Sequence, residues 1–160
     1  MRKKKKKMSS SSSSTSPTKT VVCGFPSREA FMEFLRHNPG LIIVKFGARW
    51  CSPCKRIKPV IDAFFATSPD MVVCCDVDVD ESADVYAFMR SKKMVIGVPT
   101  LLCYTADNTS FIPNLSVSGA DPKQLDMFFK SCGELLRRHT MPQRKNNLLH
   151  VLSGGKTLGS

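Results

Sequence analysis

Histidine is scarce in this 160-residue chain, and His37, His139 and His150 stand singly. A zinc site that draws on histidine therefore has little to work with. No window is long and apolar enough to span a membrane. The basic start runs into serines, where a secretory signal needs an apolar stretch, so export is not supported either. Acidic residues are missing from both ends. Residues 1–19 carry Arg2, Lys3 to Lys7 and Lys19, and residues 137–160 carry Arg137, Arg138, Arg144, Lys145 and Lys156. Without the ends, the formal charge of +11 disappears, leaving a body of 12 basic and 13 acidic residues. The basicity belongs to the tails and is weak evidence for a nucleic-acid-binding body.

An even cysteine count is absent too. The chain has seven, and Cys23, Cys74, Cys75 and Cys103 lie in or beside apolar runs. That pattern reads as buried, reduced thiols in a reducing compartment such as the cytoplasm, not as a secreted disulfide framework. The length suits one domain with its own core.

What the chain does have is Trp50-Cys51-Ser52-Pro53-Cys54, placed between the apolar run Leu41 to Val44 and a helix-like segment from Lys55. A short β-branched run, two cysteines spaced C-x-x-C and a helix behind them form a redox arrangement. One helical turn separates the sulfurs, near enough to close a small disulfide. A helix starting here sets Cys51 at its N-terminal end, where unpaired N–H groups and the dipole favour a thiolate. Such places lower a cysteine pKa from about 8.5 to roughly 3.5–7.5, and the thiolate is the attacking species. Pro53 suits the first turn, since it has no N–H to leave unpaired. A half zinc site and two inert core cysteines are the competing readings. Adjacent Cys74 and Cys75 cannot complete a zinc site easily, because in a strand their side chains point to opposite faces.

Residues 1–20 form a Lys/Ser-rich tail that cannot bury apolar surface and is expected to be disordered. Its block Arg2 to Lys7 fits a solvated tail, a nuclear address or a handle for anionic surfaces. The domain is expected over 21–138. Val21-Val22-Cys23 reads as a short strand. Ser27 caps a helix carrying Phe31, Phe34 and Leu35, which Asn38-Pro39-Gly40 stops. Leu41 to Phe46, apolar apart from Lys45, reads as a central strand covered on both faces. Ile57, Val60, Ile61, Phe64 and Phe65 give the next helix its apolar face, and Pro59 inside it predicts a kink. Met71 to Val79 reads as a strand, and Asp80-Glu81-Ser82 opens a helix that closes at Arg90 to Lys93. Leu101 to Tyr104 and Phe111 to Val117 read as two adjacent strands, and Gly119 ends the second. Asp121-Pro122 starts the last helix, whose apolar face is Leu125, Phe128, Phe129, Cys132 and Leu136. Residues 139–160 return to a basic tail, with Leu148 to Leu152 as a short helix or mobile segment. Such alternation predicts an α/β three-layer sandwich, a mixed central sheet flanked by helices.

The segment Lys45 to Lys55, the proline five residues after the second cysteine, Asp76 to Asp80, Val98-Pro99-Thr100 and Gly119 together resemble thioredoxin, in the same order. The resemblance covers about 21–138. It implies the thioredoxin-like fold, Cys51 as nucleophile, Cys54 as resolving thiol, and Pro99 in cis beside the disulfide, shaping a groove for substrate backbone. Val98 is then free to offer its own backbone to an extended peptide, and Trp50 to offer an apolar platform. The resemblance further implies that the protein reduces disulfides in target proteins and needs no bound cofactor or metal. Reducing equivalents would come from an NADPH-dependent flavoprotein reductase or a glutathione-linked route. An interaction module with weak redox activity, and an isomerase or oxidase, are the alternatives.

Three departures stand out. Ser52 replaces the usual glycine, a change expected to alter redox poise modestly. Lys45, six residues before Cys51, stands where the family buries an aspartate. A lysine buried in a strand must lose its charge or find a partner, and Asp76 in the neighbouring strand is the expected one. The pair could stabilise the Cys51 thiolate or relay a proton, while a Lys45 that snorkels to the surface would do neither. Finally, the Thr100–Gly119 hairpin is longer than usual and lacks its turn glycine.

Overall fold

A computed structural model describes residues 19–141. The tail expectations for 1–18 and 142–160, including Arg2 to Lys7 and Leu148 to Leu152, lie outside the described residues. The elements follow as β1 (Val21–Val22), α1 (Arg28–Arg36), β2 (Leu41–Gly47), α2 (Ser52–Thr67), β3 (Val72–Asp78), α3 (Ala83–Ser91), β4 (Thr100–Thr105), β5 (Leu115–Ser118) and α4 (Pro122–Thr140). The strands form one mixed sheet in the order β1-β3-β2-β4-β5. The β1/β3 and β3/β2 pairs are parallel, and β2/β4 and β4/β5 are antiparallel. Helices on both faces complete the α/β thioredoxin fold.

All seven residues of β2 are buried, as a central strand requires. Alternation along it divides the core in two. Ile42, Val44 and Phe46 pack with Phe31 and Leu35 of α1 and Val85 and Met89 of α3. Leu41 and Ile43 pack with Ile57, Ile61 and Phe65 of α2 and Leu125, Phe128 and Cys132 of α4. Each such Leu, Ile or Phe contributes about 1.5–3 kcal/mol of burial. Lys45 takes the next position on the second of these faces.

Helix starts follow their cap residues. The Ser27 side chain accepts from the Ala30 amide at 3.2 Å, and Asp121 accepts from the Lys123 amide at 2.8 Å. Helix α3 begins at Ala83, three residues later than Asp80. The Ser82 hydroxyl at its N-cap position accepts the Phe25 amide at 3.0 Å instead of capping its own helix. That contact needs Gly24, where a Cβ would lie 2.8 Å from the same hydroxyl oxygen. Gly119, at φ +93°, makes the turn out of β5 that an L side chain disfavours.

Two expectations of pattern fail. The expected strand from Phe111 is a loop as far as Asn114, and β5 starts at Leu115. Pro113 has no N–H for a ladder, and side chains hold the turn together instead. Asn114 Oδ1 accepts from the Thr105 amide at 3.0 Å and from Asn108 Nδ2 at 2.7 Å, while the Tyr104 hydroxyl donates to the Phe111 carbonyl at 2.9 Å. Those bonds stand in for the missing turn glycine. Val60 is the second failure. The buried stripe of α2 runs through Cys54, Ile57, Ile61 and Phe65, which leaves Val60 exposed at its edge.

Candidate active site

Strand β2 ends at Gly47, and the chain turns through Ala48, Arg49 and Trp50 into α2. The Cys51 amide donates to the Ala48 carbonyl at 3.1 Å, which fixes that turn. Cys51 occupies the N-cap of α2, where its sulfur accepts from the Cys54 amide at 3.2 Å. A sulfur thus takes the place usually given to a hydroxyl or carboxylate oxygen. Cys51 and Cys54 are joined as a disulfide, with their α-carbons 5.3 Å apart. Both residues are only 4% exposed. Pro53 lies in the first turn, which contains no acidic residue. Nothing in that turn opposes the positive end of the helix, so a negative sulfur is favoured there.

The Val98–Pro99 bond is cis. Antiparallel register pairs Phe46 with Thr100, so Pro99 sits at the end of β2 from which the cysteine turn springs. The Pro99 carbonyl accepts from the Gly119 amide at 2.8 Å, and the Thr100 hydroxyl donates to the Gly97 carbonyl at 2.7 Å. Trp50 is 67% exposed, and its indole N–H donates to Asp80 Oδ2 at 2.9 Å. It is a surface ring with an anchored edge, not part of the core.

Behind the disulfide lies a cavity of about 280 Å³, lined by Cys54, Lys45 and Asp76 among others. Parallel register sets Lys45 opposite Asp76, and Lys45 Nζ lies 2.8 Å from Asp76 Oδ1. Lys45 is buried and Asp76 half-buried, so the lysine does not snorkel out. Lys58, on the same cavity wall, has its pKa raised by its hydrogen bond to Asp62.

Among the other cysteines, Cys74, Cys75, Cys103 and Cys132 are buried and free. Burial pushes the Cys74 and Cys75 thiols above their usual range. Cys132 is raised as well, first by its contact with the Cys103 side chain and then by burial. Cys23 corrects the sequence reading, since its free thiol is exposed and lines the cavity. The two-residue edge strand β1 stops before it and leaves it uncovered. Arg49, which sequence reasoning passed over, lies 3.8 Å from Asp78 and also pairs with Glu81. Its adjacency to Trp50 was the only signal. Among the described residues, no group of three or more His, Cys, Asp or Glu is arranged to hold a metal ion.

The thioredoxin family model matches residues 22–131. This chain belongs to the thioredoxin family. The thioredoxin of Mus musculus is 44% identical over 72 residues, which cover 42% of this chain and 65% of that protein. The thioredoxin of Ophiophagus hannah is 36% identical over 90 residues, covering 56% and 77%. The chloroplastic M-type thioredoxin of Zea mays is 34% identical over 82 residues, or 51% of this chain and 44% of that one. The matched stretch thus spans less than two thirds of the maize and mouse proteins. Among solved structures, Plasmodium falciparum thioredoxin aligns at a TM-score of 0.55 and 29% identity, covering 69% of this chain and 98% of that one. Trypanosoma brucei brucei thioredoxin aligns at a TM-score of 0.58 and 24% identity, covering 75% and 96%, and supports the fold. The Cys51–Cys54 pair fits the C-x-x-C motif expected of a thioredoxin-family thiol–disulfide site.

Proposed function

We propose that this protein is a thiol–disulfide oxidoreductase that reduces disulfides in target proteins through Cys51 and Cys54. The observation that carries this reading is the Cys51–Cys54 disulfide at the uncountered N-terminus of α2. The Cys51 thiolate attacks one sulfur of a target disulfide. The target's S–S bond breaks, its other sulfur leaves as a thiolate, and a Cys51–target disulfide forms. Cys54, as a thiolate, then attacks the Cys51 sulfur and releases the target's second thiolate. The target gains two electrons and, in water, two protons, while the cysteine pair is oxidised. An NADPH-dependent reductase or a glutathione-linked route restores the dithiol, with no group bound to this chain.

Around the sulfurs, Trp50 gives the target an apolar platform. Pro53 starts the helix without an unpaired N–H, and Val98 and Pro99 present backbone to an extended peptide. The buried free thiols Cys74, Cys75, Cys103 and Cys132 fit work in a reducing compartment such as the cytoplasm. Reduction of insulin by the full chain, supplied with dithiothreitol, tests the reading. The wild type is expected to accelerate insulin precipitation and the Cys51→Ser variant to fall to the uncatalysed rate. Equal rates for the two would make the protein an interaction module instead.

A further inference from the structure

We propose that the Lys45 ammonium is a positioning charge for Cys54, holding the resolving cysteine toward its thiolate form. The inference rests on the dithiol reading above and assigns the step at which this buried cation acts. Lys45 follows Leu41 and Ile43 along one face of β2, so its side chain enters the layer that α2 covers. It is only 6% exposed. A methyl group placed on Gly47 would meet Lys45 Cε at 3.3 Å, then Cys54 Sγ and Lys45 Nζ, both at 3.6 Å. Sulfur and ammonium therefore flank one small space, no more than twice that last distance apart. Gly47 keeps the space open by having no side chain.

Most other charged groups in and beside this cavity have partners of their own. Arg49 pairs with Asp78 and Glu81, and Asp80 holds the Trp50 indole. Lys58 binds Asp62 and also feels the Asp76 charge, and Lys55 lines the cavity as an exposed side chain. Cys23 is exposed at the cavity wall. Lys45 is the buried cation of this lining and shares the space beside Gly47 with Cys54 Sγ, and Asp76 is its partner. Asp76 Oδ1 holds the ammonium at 2.8 Å and offsets the cost of burying it. A cation beside a thiol favours the charged form of the thiol, whereas a carboxylate disfavours it.

In the mixed disulfide, Cys51 carries no charge and Cys54 must lose a proton to water before it can attack. Its sulfur then bonds to Cys51 Sγ, the Cys51–target bond breaks, and the target sulfur leaves with the electron pair. Lys45 takes no part in this proton transfer. Its part is to raise the fraction of Cys54 already ionised when the target is bound.

The test uses the full chain with Cys51→Ser, which gives Cys54 an uncharged neighbour at position 51, as the mixed disulfide does. Iodoacetamide alkylation of Cys54 is followed against pH by the mass of the peptide that contains it. Adding Lys45→Met is expected to move the midpoint up by about one pH unit, slowing alkylation about tenfold on the acid side. Adding Asp76→Asn frees the ammonium from its counter-charge and moves the midpoint down. Damage to the fold would push both variants the same way, so opposite shifts support the proposal. Shifts in one direction, or none, overturn it. A lower midpoint in Lys45→Met, or a higher one in Asp76→Asn, overturns it as well. If Lys45→Met does not fold, Lys45→Gln takes its place, because a lower midpoint in Asp76→Asn alone would also follow from losing the carboxylate's own charge. The titration needs no target, so its failure leaves the insulin result standing, and a failed insulin assay leaves the titration readable.

Discussion

At the tip of α2, the Cys51 sulfur caps a helix and accepts an amide hydrogen bond, and Cys54 borders a cavity that Lys45 and Asp76 also line. In the interior, Cys74, Cys103 and Cys132 pack among Leu41, Ile43, Leu101 and Phe128. The same side chain is set up for ionisation in one region and against it in the other. The difference comes from backbone N–H groups and nearby charge, not from access, since both disulfide residues are nearly as buried as the interior thiols. Burial alone is a poor guide to an inert cysteine.

Making one substitution in both regions gives the widest contrast. Cys51→Ser removes the attacking sulfur, so insulin reduction is expected to fall to background while thermal unfolding shifts little. Cys132→Ser puts a hydroxyl into an apolar layer and is expected to cost about 1–3 kcal/mol in urea unfolding, with insulin reduction kept. A Cys132→Ser protein that is stable but inactive would break the contrast.

A smaller effect concerns the reduced wild type near pH 8. Raised pKa values at Cys74, Cys75 and Cys132 keep these thiols protonated there, because the fraction ionised grows only as pH rises toward each pKa. Peptide mapping after brief iodoacetamide treatment should find label at Cys51 and at exposed Cys23, with the interior cysteines labelled only in denaturant. Early labelling of Cys75 would show that the interior opens far more readily than its packing implies.

Much of this arrangement is legible in the sequence where local rules and burial agree. The apolar run of β2, the caps at Ser27 and Asp121, the C-x-x-C turn and the order of elements all follow from residue type and spacing. Lys45 with Asp76 could also be anticipated, because parallel neighbours in register put their side chains on one face. Cys23 could not. Its exposure depends on where an edge strand stops, and Val21-Val22 carries no signal for that. Val60 was misplaced because its spacing fits the apolar stripe, yet the sheet covers a narrower arc centred on Ile57 and Ile61. The loop before β5 depends on side-chain hydrogen bonds from Asn108 and Asn114, which apolar patterning does not register.

The smallest predicted effect sharpens the comparison at another helix start. Where α2 begins with a sulfur and no carboxylate, α1 begins with its first amide bound to a carboxylate. The Arg28 amide donates to Asp84 Oδ2 at 2.8 Å, and the Arg28 guanidinium donates to Asp84 Oδ1 at 3.0 Å. Those bonds, the amide's first, hold the Asp84 carboxyl below the usual carboxylate range. A carboxyl whose folded pKa is depressed adds stability that is fully present above its unfolded value, about 3.9. That stability is lost as pH falls through the folded value. Asp84→Asn should therefore lower the melting temperature slightly at pH 7, and the gap to wild type should close as both are acidified below about pH 4. The Asp84 side chain is part-exposed to solvent, so added salt should narrow the gap at pH 7 as well. A gap that persists unchanged in acid and in salt would mean that the Asp84 side chain acts through shape, and that its charge contributes nothing to the start of α1.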